Sequence, residues 1–283
     1  MSDIFSQLQK IQKSTDKIVS SNTDLFQSNL EKMYRQIEKS LTDMLAAYAE
    51  SGNINKINFE FALMNKRNIE QVLTYSGFYQ YVSDYVSSEQ DLIDNAVKQF
   101  RIFDYKSRIG GTSRTAINAM QKMNYDTIAS IGQQATDKLY NAIYQGLITD
   151  TGLNEAIPMI RAIAEKEIGE KLSYIKTVAD TEMMKFNRTV INSIAEQTGW
   201  NERLYIGPVD GIIRKFCLKH VGKVYSIEKI KKMDNGQLPN VLVTGGGYNC
   251  RHTWTAVPDG YKPDKEMISD VKSAKEHAVS LGA

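Results

Sequence analysis

Cysteine and histidine are scarce in this 283-residue chain, with two of the first and three of the second. So few cysteines exclude a fold framed by disulfides. No stretch approaches the roughly 20 uninterrupted apolar residues that a membrane-spanning helix requires. The opening MSDIFSQLQK lacks the basic region and apolar core of an export signal. Synthesis and folding in a cytoplasm are therefore expected. An excess of one charge is missing too: 35 Lys and Arg face 33 Asp and Glu, and a net +2 does not announce a polyanion partner.

What is present is unevenly placed. Residues 1–200 hold 22 basic and 24 acidic side chains, a balance of −2, whereas the last 83 hold 13 and 9, a balance of +4. A mildly basic end suits nucleic acid or an acidic protein surface, and a solvated face is the plainer reading. Both cysteines, Cys217 and Cys250, lie there, and two of the three histidines, His220 and His252, stand within three residues of them.

Up to about residue 200 the chain reads as helix. From Thr23 onward, Leu30, Met33, Ile37, Leu41, Met44 and Tyr48 recur at steps of three and four, which puts one apolar stripe on a helix that Asn22, Thr23 or Asp24 can cap and Ser51-Gly52-Asn53 ends. Further helices are predicted over about Phe59–Tyr75 and from Ser88 to about Phe103. The segment Lys106–Arg114, with Gly110-Gly111 at its centre, reads as a flexible link; a phosphate cradle there lacks the P-loop spacing. Helix resumes near Thr115 with Ile128, Ile131, Ala135, Leu139 and Ile143. After a turn over Gln145–Asn154, one helix carries Pro158 early. Another, from about Glu167 to Glu196, carries Ile168, Leu172, Ile175, Ala179, Met183, Phe186, Val190 and Ile194.

After Trp200 the pattern changes. Arg203–Pro208, Gly222–Ser226, Asn240–Thr244 and Arg251–Val257 read as short strands, with a short helix from Ser226 to about Met233. The fold class predicted is α+β, a mainly helical N-terminal body with a small C-terminal α+β module. Its parts are a helical region 1–105, a second helical region 112–199, the module 200–260 and a stretch 261–283 that is a polar tail or a terminal helix. Protease is expected to cut at Gly110-Gly111 and near Gly199-Trp200, leaving a folded fragment from about residue 200.

Cys217 and His220 form C-x2-H, and Cys250 and His252 form C-x-H. Two thiolates and two imidazoles suit a tetrahedral Zn²⁺ site, although C-x-H is an unusual spacing. The alternatives are a Cys217–Cys250 contact or disulfide, or plain packing. Gly245-Gly246-Gly247 suggests a tight loop over the Cys217 segment. Asp210 is placed to pair with Arg214 locally, or with Arg251 if that residue is buried against it. The order His220, Asn249, His252 also invites comparison with metal-dependent nucleases, but acidic companions are few. No catalytic set is assigned.

The run R-K-F-C-L-K-H-V-G-K-V-Y-S, then I-K-K-M-D-N-G-Q-L-P, then G-G-G-Y-N-C-R-H-T-W-T-A-V, resembles the C-terminal domain of phage Mu F-like head morphogenesis proteins. The residues that carry the resemblance are Arg214, Cys217, Gly222 to Tyr225, and Asn249 to Arg251. Trp254 closes the last box, and Thr181-Glu182 upstream looks like the Thr-Glu element that precedes this domain. It covers about residues 170–260; the first 160 match only in general character.

The resemblance implies a low-copy minor head protein of the virion, associated with the portal or the capsid interior. Its expected partners are portal, capsid or scaffold proteins, with DNA as a further candidate, and its work is head morphogenesis and DNA packaging or delivery. Some relatives carry fused toxin or nuclease domains; the roughly 25 residues after the motif are too few for one. The competing expectations are a metal-dependent nuclease and a nucleic-acid-binding module.

Overall fold

The computed structural model describes residues 3–50, 71, 74–105, 110–148 and 153–282. Most of the helix expected over Phe59–Tyr75, residues 106–109 of the Lys106–Arg114 link and the centre of the Gln145–Asn154 turn lie outside the described residues. So do the side chains of Ile37, Leu41, Met44, Tyr48, Ala135, Leu139, Ile143, Ile168 and Leu172.

The protein is α+β, about 70% helical, with a small antiparallel sheet near its C-terminal end. The helices are α1 (Asp3–Glu50), α2 (Phe78–Ser87), α3 (Glu89–Arg101), α4 (Gly111–Ile148) and α5 (Leu153–Thr198). Then follow β1 (Glu202–Ile206), α6 (Lys215–His220), β2 (Val224–Ser226), α7 (Ile227–Ile230), α8 (Val241–Thr244), β3 (Thr253–Val257) and α9 (Lys265–Ser280). None of the helices among the described residues is long and apolar enough to cross a membrane.

Two compact units divide the chain. One gathers Met1–Asn22, Ser87–Met123 and Thr177–Ala283; the other gathers Thr23–Val86 and Asn124–Lys176. Each is assembled from separated stretches, because α1, α4 and α5 each contribute residues to both. The breaks in composition mark contiguous segments and do not reveal this.

In the second unit the apolar stripes read from the sequence become core. Leu30, Met33, Ile128, Ile131 and Ile175 are buried, Phe26 packs on Tyr85 with ring centres 5.1 Å apart, and Phe78 lies flush against Gly132.

The first unit holds the sheet, in the order β2-β1-β3, with Glu202 opposite Ser226 and Val257, and Tyr205 opposite Trp254. Successive strand residues point to opposite faces, and here both faces are covered. On one side Leu204, Ile206 and Val257 meet Phe5 and Leu8 of α1 and Met267 of α9. On the other, Tyr205 and Trp254 meet Ile213, Cys217, Val221, Ile230, Val241, Cys250 and Ala278. Helix α5 supplies Ala179, Met183, Phe186, Val190 and Ile194, all buried.

Several expectations change. Helix α1 begins at Asp3 and runs through the caps expected near Thr23, α4 begins at Gly111 inside the stretch read as a link, and the two helices read after Asn154 are one, α5. Val241–Thr244 is a single helical turn and not a strand: Asn240 takes a left-handed conformation, and Thr244 Oγ1 donates to Asn240 O at 3.1 Å. The turn delivers Val241 O to Trp254 Nε1 at 2.9 Å, so a tertiary bond outweighs the local preference of a Val-Leu-Val run for strand. Of the two readings of the stretch after Pro263, the terminal helix holds: α9 is capped by Asp264, whose side chain accepts from Met267 N at 2.8 Å.

Candidate functional site

Residues from five places in the sequence meet beside the inner face of β1. Cys217 sits on the short helix α6, Cys250 and His252 on the strand-like approach to β3, Gly246 in the glycine loop, Tyr205 on β1 and Arg188 on α5. The two sulfurs are 3.7 Å apart, too far for a bond and close enough to share a proton, so both cysteines are free. Tyr205 Oη stands 3.4 Å from Cys217 Sγ and 3.5 Å from Cys250 Sγ, and Gly246 N donates to Cys250 Sγ at 3.0 Å. His252 is buried, stacks on the Tyr205 ring at 5.3 Å, and its Nε2 finds no hydrogen-bond partner. The donor atoms of Cys217, Cys250 and His252 lie within 4.8 Å of one another, a buried group able to hold a metal ion.

Arg188 fixes this arrangement from behind. Its side chain is 1% exposed, and its guanidinium donates to three backbone carbonyls. Nε reaches His252 O at 2.9 Å, Nη1 reaches Val243 O at 3.0 Å, and Nη2 reaches both Cys250 O at 2.5 Å and His252 O at 2.6 Å. The glycines are required by closeness. A Cβ on Gly246 would stand 2.4 Å from Cys217 Sγ, and one on Gly245, whose φ is +59°, would stand 2.9 Å from the Arg188 guanidinium. The loop thus lies over the Cys217 segment.

The electrostatics separate the two thiols. The hydrogen bond from Cys217 pulls the Cys250 thiol well below its ordinary value, aided by the nearby Arg188 charge. The same bond, with burial, pushes Cys217 upward. Burial also pushes the Tyr205 phenol well up.

The remaining motif residues support this centre. Asn249, at φ +52°, donates its N–H to Thr181 Oγ1 at 3.0 Å, and Thr181 in turn donates to Thr177 O at 2.6 Å. Arg214 reaches Gly246 O at 3.2 Å, so it is not Asp210's partner. Asp210 pairs with Arg251 at 2.8 Å, both side chains about two-fifths exposed. Gly222 N donates to Tyr205 O at 2.8 Å, and Gly247 lies against Gln237. Glu182 pairs with Lys185 at 2.8 Å on α5.

His220 is placed elsewhere. Its Nδ1 is 2.9 Å from Tyr225 Oη, and it does not join the group of Cys217, Cys250 and His252. Burial, together with Lys219, Lys223, Lys275 and Lys229, brings its pKa down to about 4. Sequence reasoning missed Arg188 and Tyr205. Neither stands in a motif, and a lone Arg inside an apolar helical pattern was the only available signal for the first. A cavity of about 140 Å³, lined by Ile212, Arg214, Asn249 and Arg251 among others, opens onto the cluster. No family model matches the chain, and no curated protein and no solved structure matches it either.

Proposed function

We propose that the chain is a minor head protein of a tailed phage, of the Mu F-like kind. In this reading it is built into the virion at the portal vertex or capsid interior, acts in head morphogenesis and DNA packaging or delivery, and is not an enzyme. One observation carries the reading: most of the residues behind the resemblance, Thr181, Arg214, Cys217, Asn249, Cys250 and Trp254 among them, gather around one buried centre with Arg188 at its back. Asn249 N and the carbonyls of Val243, Cys250 and His252 are bound to α5, while Arg214 and Trp254 tie the module internally, which suits a structural role. His220, Asn249 and His252 each turn to a different neighbour, which favours this role over a nuclease.

The donors of the cluster suit Zn²⁺, and we read the ion as a structural tie of the module. Portal, capsid or scaffold proteins are the partners this role requires. The test is co-purification with the portal protein of the same phage, alongside deletion of the gene. Retained portal and heads that assemble but infect poorly are expected; full infectivity without the gene would sink the proposal.

A second reading has one observation in its favour. Lys219, Lys223, Lys229 and Lys275 lie close enough together to act jointly on His220, a basic cluster in the C-terminal part. Contact with DNA through it would weaken steeply with salt, because phosphate contacts release counterions. A mobility shift insensitive to salt would count against it.

A further inference from the structure

We propose that Tyr205, and not His220, is the fourth donor of the metal centre, completing a Zn²⁺ site with Cys217, Cys250 and His252. This rests on the reading above that the cluster binds zinc. With Zn–S near 2.3 Å, two sulfurs at a tetrahedral angle stand about 3.8 Å apart, and a sulfur and an oxygen about 3.5 Å apart. The Cys217–Cys250 edge is 3.7 Å, and the two Tyr205 Oη edges are 3.4 and 3.5 Å. Three edges of a zinc tetrahedron are already in place. The fourth corner falls to His252, a buried imidazole whose Nε2 has no hydrogen-bond partner.

Charge supports the same set. Two thiolates, one phenolate and Zn²⁺ sum to −1. Arg188 is buried beside Cys250, and its hydrogen bonds run to neutral carbonyls, so it offers +1 that no carbonyl neutralises. Gly246 N–H donates to Cys250 Sγ, as an outer partner of a bound thiolate does. His220 is engaged with Tyr225 and lies outside the cluster. On loading, the thiol protons of the cysteine pair and the Tyr205 phenol proton leave to solvent as the Zn–S and Zn–O bonds form.

The experiment uses the reduced full-length chain with Zn²⁺ or Co²⁺ as the probe. About one zinc per chain is expected, with a tyrosinate absorbance difference on loading that Tyr205→Phe abolishes. Tyr205→Phe should also lose zinc to a competing chelator at least tenfold more readily and shift the Co²⁺ absorption bands. His220→Ala should keep both metal content and spectrum. One zinc per chain with no tyrosinate signal, and Tyr205→Phe unchanged in affinity and spectrum, overturns the role of Tyr205 and leaves the zinc reading intact. Loss of the wild-type Co²⁺ spectrum in His220→Ala overturns it as well. A reduced wild-type chain that takes up no zinc overturns the zinc reading, and this inference with it.

Discussion

Arg188 concentrates more of the site's energetics than either cysteine. A guanidinium presents a rigid fork of donors, and here the fork satisfies the carbonyls of Val243, Cys250 and His252, the last of which has the weak Cys250 thiol, at 3.9 Å, as a further donor. Arg188→Ala should therefore cost about 3 kcal/mol or more in urea denaturation, because each orphaned acceptor costs about 1–3 kcal/mol. Arg188→Met should recover little of this despite filling the space. A cost below about 1 kcal/mol for both would show that the carbonyls find other donors.

Asp16 makes a second prediction at this scale. It lines a cavity of about 290 Å³ with Gln12, Ile206 and Val271, and burial raises its pKa from 3.8 to about 7 against the opposing Gln12 hydrogen bond and the Arg251 and Arg188 charges. Below pH 3.8 both folded and unfolded forms are protonated. Between about 4 and 7 the unfolded chain ionises first, so this group lowers stability as pH rises. Asp16→Asn should thus be more stable than wild type at pH 8, on the order of 1 kcal/mol after allowing for partial exposure, with the gap closing near pH 4. His220, depressed from 6.5 to about 4, works the other way and adds stability over that window. The difference between variant and wild type cancels that contribution. A gap that does not change with pH would refute the assignment to Asp16.

At the scale of elements, what could be read from the sequence followed the length of the pattern. The stripe from Ile175 to Ile194 spans several turns, so its 3.6-residue period identifies a buried helix face without tertiary information. Strands β1 and β3 announced themselves through alternation and through Gly-Pro after Ile206. Short elements were less legible. Val241–Thr244 has four residues, too few to show any period, and its conformation is decided by the Trp254 indole and by Asn240. Helix α6 was hidden likewise: Lys215–His220 is one and a half turns, and it places Cys217 inward while His220 turns to Tyr225. Hence C-x2-H and C-x-H looked like a matched pair of knuckles although only three of the four side chains converge. Pairing Asp210 with Arg251 was legible as an alternative, since charge alone nominates both arginines and only the fold chooses.

For the whole molecule, the sequence change at Trp200 suggests a module that folds alone from about residue 200, and the structure argues for a different outcome. Strand β1 meets Phe5 and Leu8 of α1 on one face. The buried Arg203 donates to Asn192 Oδ1 on α5 at 3.0 Å, and Trp200 stacks on Phe100 of α3 with ring centres 5.6 Å apart. Arg188 and Thr181 add the carbonyl and Asn249 bonds described above. A fragment of residues 200–283 loses all of these at once. It would expose Leu204, Ile206 and Val257 and leave the carbonyls of Cys250 and His252 without their donor. Restoring residues 177–199 returns Arg188, Asn192 and Thr181 but not the α1 and α3 contacts. The expected order is no cooperative unfolding for 200–283, weak cooperativity for 177–283, and a full transition for the intact chain, followed by circular dichroism during heating. A fragment 200–283 that melts cooperatively at the temperature of the intact chain would show that the sheet and its glycine loop are self-sufficient. The Arg188 network would then be an attachment rather than part of the module's own fold.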